Sequence, residues 1–121
     1  RLVGSEMCIR DSGEIKHTGK VGENINIDKA KTIARTCGLN IISVLKDAVD
    51  GDLSRVTKCV KLGIFVACTN DFHNQPEVAN GASDLMVEIF GEAGKHARFA
   101  VGTNSLPRNV PVEVDAVFEF K

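Results

Sequence analysis

The sequence predicts an α+β domain, a two-layer sandwich in which two helices pack on one face of a mixed β-sheet. Three observations carry that reading. Two long stretches place apolar residues three and four apart, several shorter ones alternate apolar and polar, and their order is strand, helix, strand, helix, strand, strand. Each helix shows a single apolar stripe, so both can bury that stripe against the same sheet. A chain of 121 residues, 43% hydrophobic and 26% charged, has the size and composition of one globular domain that needs no disulfide or metal staple.

Residues 1–12 show neither helical nor strand periodicity in keeping with the rest of the chain, and their string reads like a translated adapter fragment. The domain is therefore expected to span residues 13–121. A short strand is expected near residues 14–17, followed by turns at Gly19 and Gly22. Asp28 is the expected N-cap of the first helix, a residue type whose side-chain oxygen can accept from a free helical N–H. Behind it Ala30, Ile33, Ala34, Cys37, Ile41, Val44, Leu45 and Ala48 form one stripe, weakened slightly at Gly38 and stopped by Gly51.

Over residues 56–66 the period becomes two, with Val60, Leu62, Ile64 and Val66 on one face and Lys61, Gly63 and Phe65 on the other. A polar loop over residues 68–75 leads to Pro76, which fits the first turn of a second helix. Val78, Ala82, Leu85, Met86 and Ile89 are its expected buried stripe, and Gly91 its end. Two alternating strands come next, over residues 97–102 and 112–120. In the last, Val112, Val114, Ala116, Phe118 and Phe120 face the core, and Glu113, Asp115, Val117 and Glu119 face away.

Arg98 and Glu113 stand out because each charge lies in an otherwise apolar strand, where it must be solvated, paired or kept for a ligand. A guanidinium is a planar fork that grips a carboxylate through two parallel hydrogen bonds, and a nearby carboxylate can hold a water or move a proton. Two plainer readings stand beside this one. Arg98 could form a structural ion pair with Glu113 or Asp115, and Glu113, Asp115 and Glu119 could be a solvated strand face. Strand register decides between them, and sequence does not fix it. The outer sheet face, carrying Phe65, Glu113, Asp115 and on this reading Arg98, suits a wet interface between subunits.

A net charge of −1 and the lack of Trp and Tyr argue against nucleic-acid binding through phosphate neutralisation or base stacking. No apolar run reaches the length of a membrane span and no secretory leader is evident, so a cytoplasmic location is expected. Cys8, Cys37, Cys59 and Cys68 lack paired spacing and read as free thiols, with Cys37 in the core. His17, His73 and His96 have no metal-type spacing and read as surface loop residues, so no metal site is expected.

The strings Lys61-Leu62-Gly63-Ile64-Phe65-Val66, Asn70-Asp71-Phe72, Ala97-Arg98, Leu106-Pro107 and Val112-Glu113-Val114-Asp115-Ala116, in that order, resemble the RidA/YjgF family of reactive-intermediate deaminases. Asn74-Gln75-Pro76, residues 78–83 and Gly91-Glu92-Ala93-Gly94 are similar to a less characterised branch of it. The resemblance implies a chorismate-mutase-like fold, a homotrimer with pockets between subunits, and a role in metabolite damage control. The implied activity is hydrolysis of short-lived 2-imino and enamine acids, such as 2-iminopropanoate, to 2-oxo acids and ammonia.

The resemblance assigns the carboxylate grip to Arg98 and the water-handling acid to Glu113, with Ala100 and Phe65 as substrate contacts. Ala100 stands where the family often has Cys, and a backbone contact survives that change. No counterpart of the family's first strand, or of its pocket Tyr, is recognised in the sequence. The implied reaction needs no cofactor: the site need only orient the imine, hold a water and return a proton. The alternative is a trimeric protein that captures small carboxylates without turnover. An endoribonuclease or translation inhibitor is a third reading, at odds with the charge balance.

Overall fold

In the computed structural model, the backbone is described for residues 2–4, 10–11, 14–15 and 17–121, and the side chains for residues 17–121. The elements in order are β1 (Leu2–Gly4), β2 (Arg10–Asp11), β3 (Glu14–Ile15), α1 (Ile27–Ala48), β4 (Val56–Ala67), α2 (Gln75–Phe90), β5 (Ala97–Thr103) and β6 (Val112–Phe120). The predicted two-layer α+β sandwich is what forms. Both helices cover one face of a mixed sheet whose strand order is β1-β6-β4-β5, with β4 and β5 parallel and the other pairs antiparallel.

The sheet edge beyond β6 holds β1, where Leu2 pairs with Phe118 and Gly4 with Ala116. This strand lies inside the stretch expected to be foreign to the fold. Three residues are too few to show a period, and a short edge strand needs only one neighbour to satisfy its backbone. The strand expected near residues 14–17 is β3, which pairs with β2 in a separate two-stranded ribbon.

Helix α1 begins two residues earlier than expected. Its cap is Asn26, not Asp28: the Asn26 Oδ1 accepts from the Lys29 N–H at 2.8 Å. Asp28 instead sits in the first turn, where its charge faces the positive end of the helix dipole. Ala30, Ile33, Ala34, Cys37, Ile41 and Leu45 are buried as the stripe predicted, while Ala48 is exposed. Gly51 ends the helix in the left-handed region, its N–H reaching the Lys46 carbonyl at 2.8 Å. In α2, Val78, Ala82, Leu85 and Met86 are buried, but Ile89 is 41% exposed, while its neighbour Phe90 packs on Phe118 of β6 with ring centroids 5.8 Å apart.

Two glycines let the helices meet. At Gly81 a Cβ would overlap the Lys31 carbonyl of α1, and at Gly38 it would stand 2.9 Å from Leu85 Cδ2. The core between the layers is wholly apolar among the described residues, with Leu62, Ile64, Val66, Val114 and Phe118 at 0% exposure. Val60 departs from its predicted face. A bulge between Cys59 and Lys61 sets two β4 residues against one of β6, so Cys59 takes the core position and Val60 is displaced. Among the described residues no helix is long and apolar enough to cross a membrane.

Candidate functional site

The parallel register of β4 and β5 fixes where each candidate points. Leu62 pairs with Arg98, Ile64 with Ala100, and Val66 with Gly102. Neighbours in register share a face, and Leu62 is core, so Arg98 and Ala100 lie on the helix side of the sheet. This corrects the expectation that Arg98 shares the outer face with Glu113. Gly102 suits this register: a Cβ there would stand 2.8 Å from both Cys68 Sγ and Gln75 Nε2, so any larger residue would have to displace these side chains at the start of α2.

Strand β5 is an edge, and Arg98 leaves it toward α2. Its Nη1 donates to the Asn80 Oδ1 at 2.7 Å. On the helix layer Lys31 pairs with Glu77 at 2.9 Å and Arg35 with Glu88 at 2.7 Å. Arg98 instead meets a neutral amide, and it forms no ion pair among the described residues. Asn80 thus orients the fork and leaves its charge uncompensated. Asn80 also lines a cleft of about 320 Å³ between the helices, together with Lys31, Arg35, Asp84 and Glu88. The structural ion pair of Arg98 with Glu113 or Asp115 does not form within the chain.

Glu113 pairs with Phe65 across β4 and β6, on the face away from the helices. There Phe65 and Phe99 meet edge to face, with ring centroids 5.3 Å apart. Gly63 makes room for them, since a Cβ at that position would lie 2.5 Å from Phe99 Cζ. Lys61 Nζ stands 5.2 Å from the centre of the same ring, a cation–π contact. The four candidates therefore fall into two groups on opposite faces: Arg98 with Ala100, and Glu113 with Phe65. Within one chain the sheet separates them.

Sequence reasoning did not assign a role to Asn80 or Phe99, and it misread His96. Asn80 lies at the polar edge of the α2 stripe, and only the register of β5 reveals what it touches. His96 is no free loop residue: it is half-buried, with Nε2 2.7 Å from Ser83 Oγ and Nδ1 2.6 Å from the Gly94 carbonyl. Cys37, Cys59 and Cys68 are buried, and none of them is in a disulfide among the described residues. Burial pushes the Cys59 thiol up to about 11, so it is neither a thiolate nor a nucleophile near neutrality. No group of three or more metal-ligating side chains is found among the described residues.

The family model described as "YjgF/chorismate_mutase-like, putative endoribonuclease" matches residues 2–119. The chain belongs to the RidA/YjgF family. It is 46% identical over 103 residues to Protein TCP17 of Trypanosoma cruzi, a match that covers 84% of this chain and 64% of that protein's length. The chain thus spans less than two thirds of that relative. Among solved structures it is similar to Atu1372 of Agrobacterium tumefaciens, at 42% identity and a TM-score of 0.91, covering 97% of this chain and 74% of that one. The E. coli protein TdcF, solved with bound serine, shares the fold alone: 19% identity, TM-score 0.54, 91% of this chain and 70% of that one.

Proposed function

We propose that this protein hydrolyses reactive 2-imino and enamine acids to 2-oxo acids and ammonia, at sites assembled between copies of the chain. One observation carries the reading: Arg98 is a cation held by a neutral amide at 2.7 Å, oriented but not neutralised. Such a group is prepared for a carboxylate, which it can take with two charge-assisted hydrogen bonds. The imine carbon is bonded to that carboxylate, so gripping one end places the other. Backbone groups near Ala100, two residues along the same side of β5, would help fix the imine.

Glu113 would hold the attacking water and pass its proton to the departing ammonia. It cannot do so for the Arg98 of its own chain. Strand β4 lies between β5 and β6, with Arg98 level with Leu62 and Glu113 with Phe65, so the two residues are two strand spacings apart across the sheet and three residues apart along it, about 14 Å in all, and project from opposite faces. A site with both groups needs the Glu113 face of a second copy, with Phe65 and Phe99 as its apolar wall. A homotrimer would close such contacts with three equivalent sites.

The second reading is capture without turnover. The grouping of Arg98 and Asn80 apart from Glu113 favours it, because a single chain is equipped to bind a carboxylate and not to hydrolyse an imine. Freshly generated 2-aminoacrylate separates the two. Accelerated ammonia release by the wild type, lost in both Arg98→Ala and Glu113→Gln, supports the enzyme. Mixing the two inactive variants should then restore part of the activity, because some mixed sites combine an intact Arg98 with an intact Glu113. Binding of 2-oxo acids without ammonia release supports the binder, and activity that survives Arg98→Ala rules out both.

A further inference from the structure

We propose that Ser83 and His96 form a proton relay serving the compound that Arg98 holds, an inference that rests on the deaminase reading. The Gly94 carbonyl can only accept a hydrogen bond, so His96 Nδ1, 2.6 Å away, carries the proton. In the neutral ring Nε2 is then a lone-pair acceptor, and the Ser83 hydroxyl 2.7 Å away donates to it. This is the arrangement of a hydroxyl, a base and a group that orients the base. The family resemblance assigns no role to either residue.

Its position ties it to the candidate site. His96 and Arg98 are two residues apart at the start of β5 and reach the same helix. Asn80 and Ser83 are three apart on α2, neighbours on one face with Cβ atoms about 5–6 Å apart. Arg98 with Asn80 and His96 with Ser83 are thus adjacent rungs between strand and helix. The charged groups nearby are few. Lys95 and Glu92 of the preceding turn pair with each other at 2.8 Å, α2 presents the neutral Asn80 and Ser83 with the Asp84 carboxylate beside them in the cleft that Asn80 lines, and β4 turns Leu62 and the un-ionised Cys59 thiol to this side. Arg98 is the charge next to the imidazole along its own strand.

The chemistry balances without a further reagent. A water held by Glu113 of a second copy gives that carboxylate a proton. The water oxygen bonds to the imine carbon, and the C=N π pair moves to nitrogen. Glu113 passes its proton to that nitrogen, giving the carbinolamine. The new hydroxyl then gives its proton to Ser83 Oγ as Ser83 passes its own to His96 Nε2. His96 returns it through Ser83 to the nitrogen as the C=O bond forms, the C–N bond breaks and ammonia leaves. Ser83 is the group that touches the carbinol hydroxyl, and His96 acts through it. Glu113 of a second copy would hold the substrate's other side.

The test uses His96→Gln, which keeps a hydrogen-bonding side chain of similar reach, and Ser83→Ala, each assayed with 2-aminoacrylate. The expected result is a kcat about 100-fold lower with KM nearly unchanged, and loss of the acid limb of the wild-type pH profile. Unchanged kcat and pH profile in His96→Gln would overturn the relay. A second measurement is independent of turnover: the NMR titration of the His96 ring with and without pyruvate. Pyruvate should shift its midpoint upward in the wild type, since a bound anion favours imidazolium, and not in Arg98→Ala. A wild type without ammonia release defeats the deaminase reading, whereas a His96 titration unmoved by pyruvate defeats the relay itself.

Discussion

Gly81→Ala tests the packing on which the site depends. In an isolated helix the change would stabilise by about 1 kcal/mol, because alanine has the higher helix propensity. In this fold the new methyl would overlap the Lys31 carbonyl oxygen, with the carbonyl carbon at 3.0 Å and Arg35 N at 3.2 Å. Carbon atoms rest about 3.5–4.0 Å apart, so the helices must part by about 0.5–1 Å, which forfeits a quarter to a half of each contact along the seam. Both obstructing groups are backbone and cannot rotate away, which places the cost near the upper end of the 1–3 kcal/mol range for overpacking, about 3 kcal/mol. Subtracting the helical gain leaves about 2 kcal/mol of destabilisation, or a fall in Tm of about 8 °C. Asn80, one residue before, would be carried away from Arg98, so carboxylate affinity should fall as well. Gly38→Ala is the control: there the obstruction is the end of the Leu85 side chain, which can move, and the change should cost less than about 1 kcal/mol. Urea unfolding of the three proteins decides the matter. A Gly81→Ala protein as stable as the wild type refutes the reasoning.

Asn26→Ala should destabilise by about 1 kcal/mol, since it removes the acceptor for Lys29 N–H, whereas Asp28→Ala should cost less, about 0.3–0.5 kcal/mol, and the less the more salt is present. The reverse order in urea melts would return the cap to Asp28. Cys59 should resist iodoacetamide in the native protein at pH 8. Because the fold disfavours its thiolate, its contribution to stability is present below pH 9 and is lost as the pH rises from 9 toward 11. The alkaline fall in stability should be smaller in Cys59→Ala, and an equal fall in both proteins would exclude this thiol as its source.

Most of the architecture was legible because its signals are periodic. The stripes of α1 and α2 and the alternation in β6 each repeat over enough residues to point one way, and the buried positions follow them. What was not legible is set by single residues and by distant pairing. A one-residue bulge at Cys59–Val60 changed which of two adjacent apolar residues is core, and nothing in the local pattern distinguishes them. Asn26 and Asp28 are both good caps, and the choice falls to the turn over residues 20–25, whose bridge from Val21 to Cys68 draws the chain to the sheet before the helix starts. His96 read as a loop residue because its partners, Ser83 and the Gly94 carbonyl, come together only when the turn at residues 91–94 packs on α2.

The faces of Arg98 and Glu113 follow from residues that have no chemistry of their own. The Phe99 ring covers Gly63 from outside, and Gly102 fits beneath Cys68 and Gln75 from inside. A slip of β5 by one residue would turn Phe99 and Val101 into the crowded space under α2 and leave Gly63 uncovered, a double loss that pins the strand where it is. With that register fixed, Arg98 must face the helices, while the Phe65 pairing keeps Glu113 on the other side. No rotamer change can bring a guanidinium and a carboxylate together through a packed sheet. The sheet thus divides the two chemical roles, and uniting them requires association of copies. Conditions or substitutions that keep each chain folded but apart should leave 2-oxo acid binding at Arg98 measurable while abolishing ammonia release, and turnover by a stable monomer would show that Glu113 is not the acid.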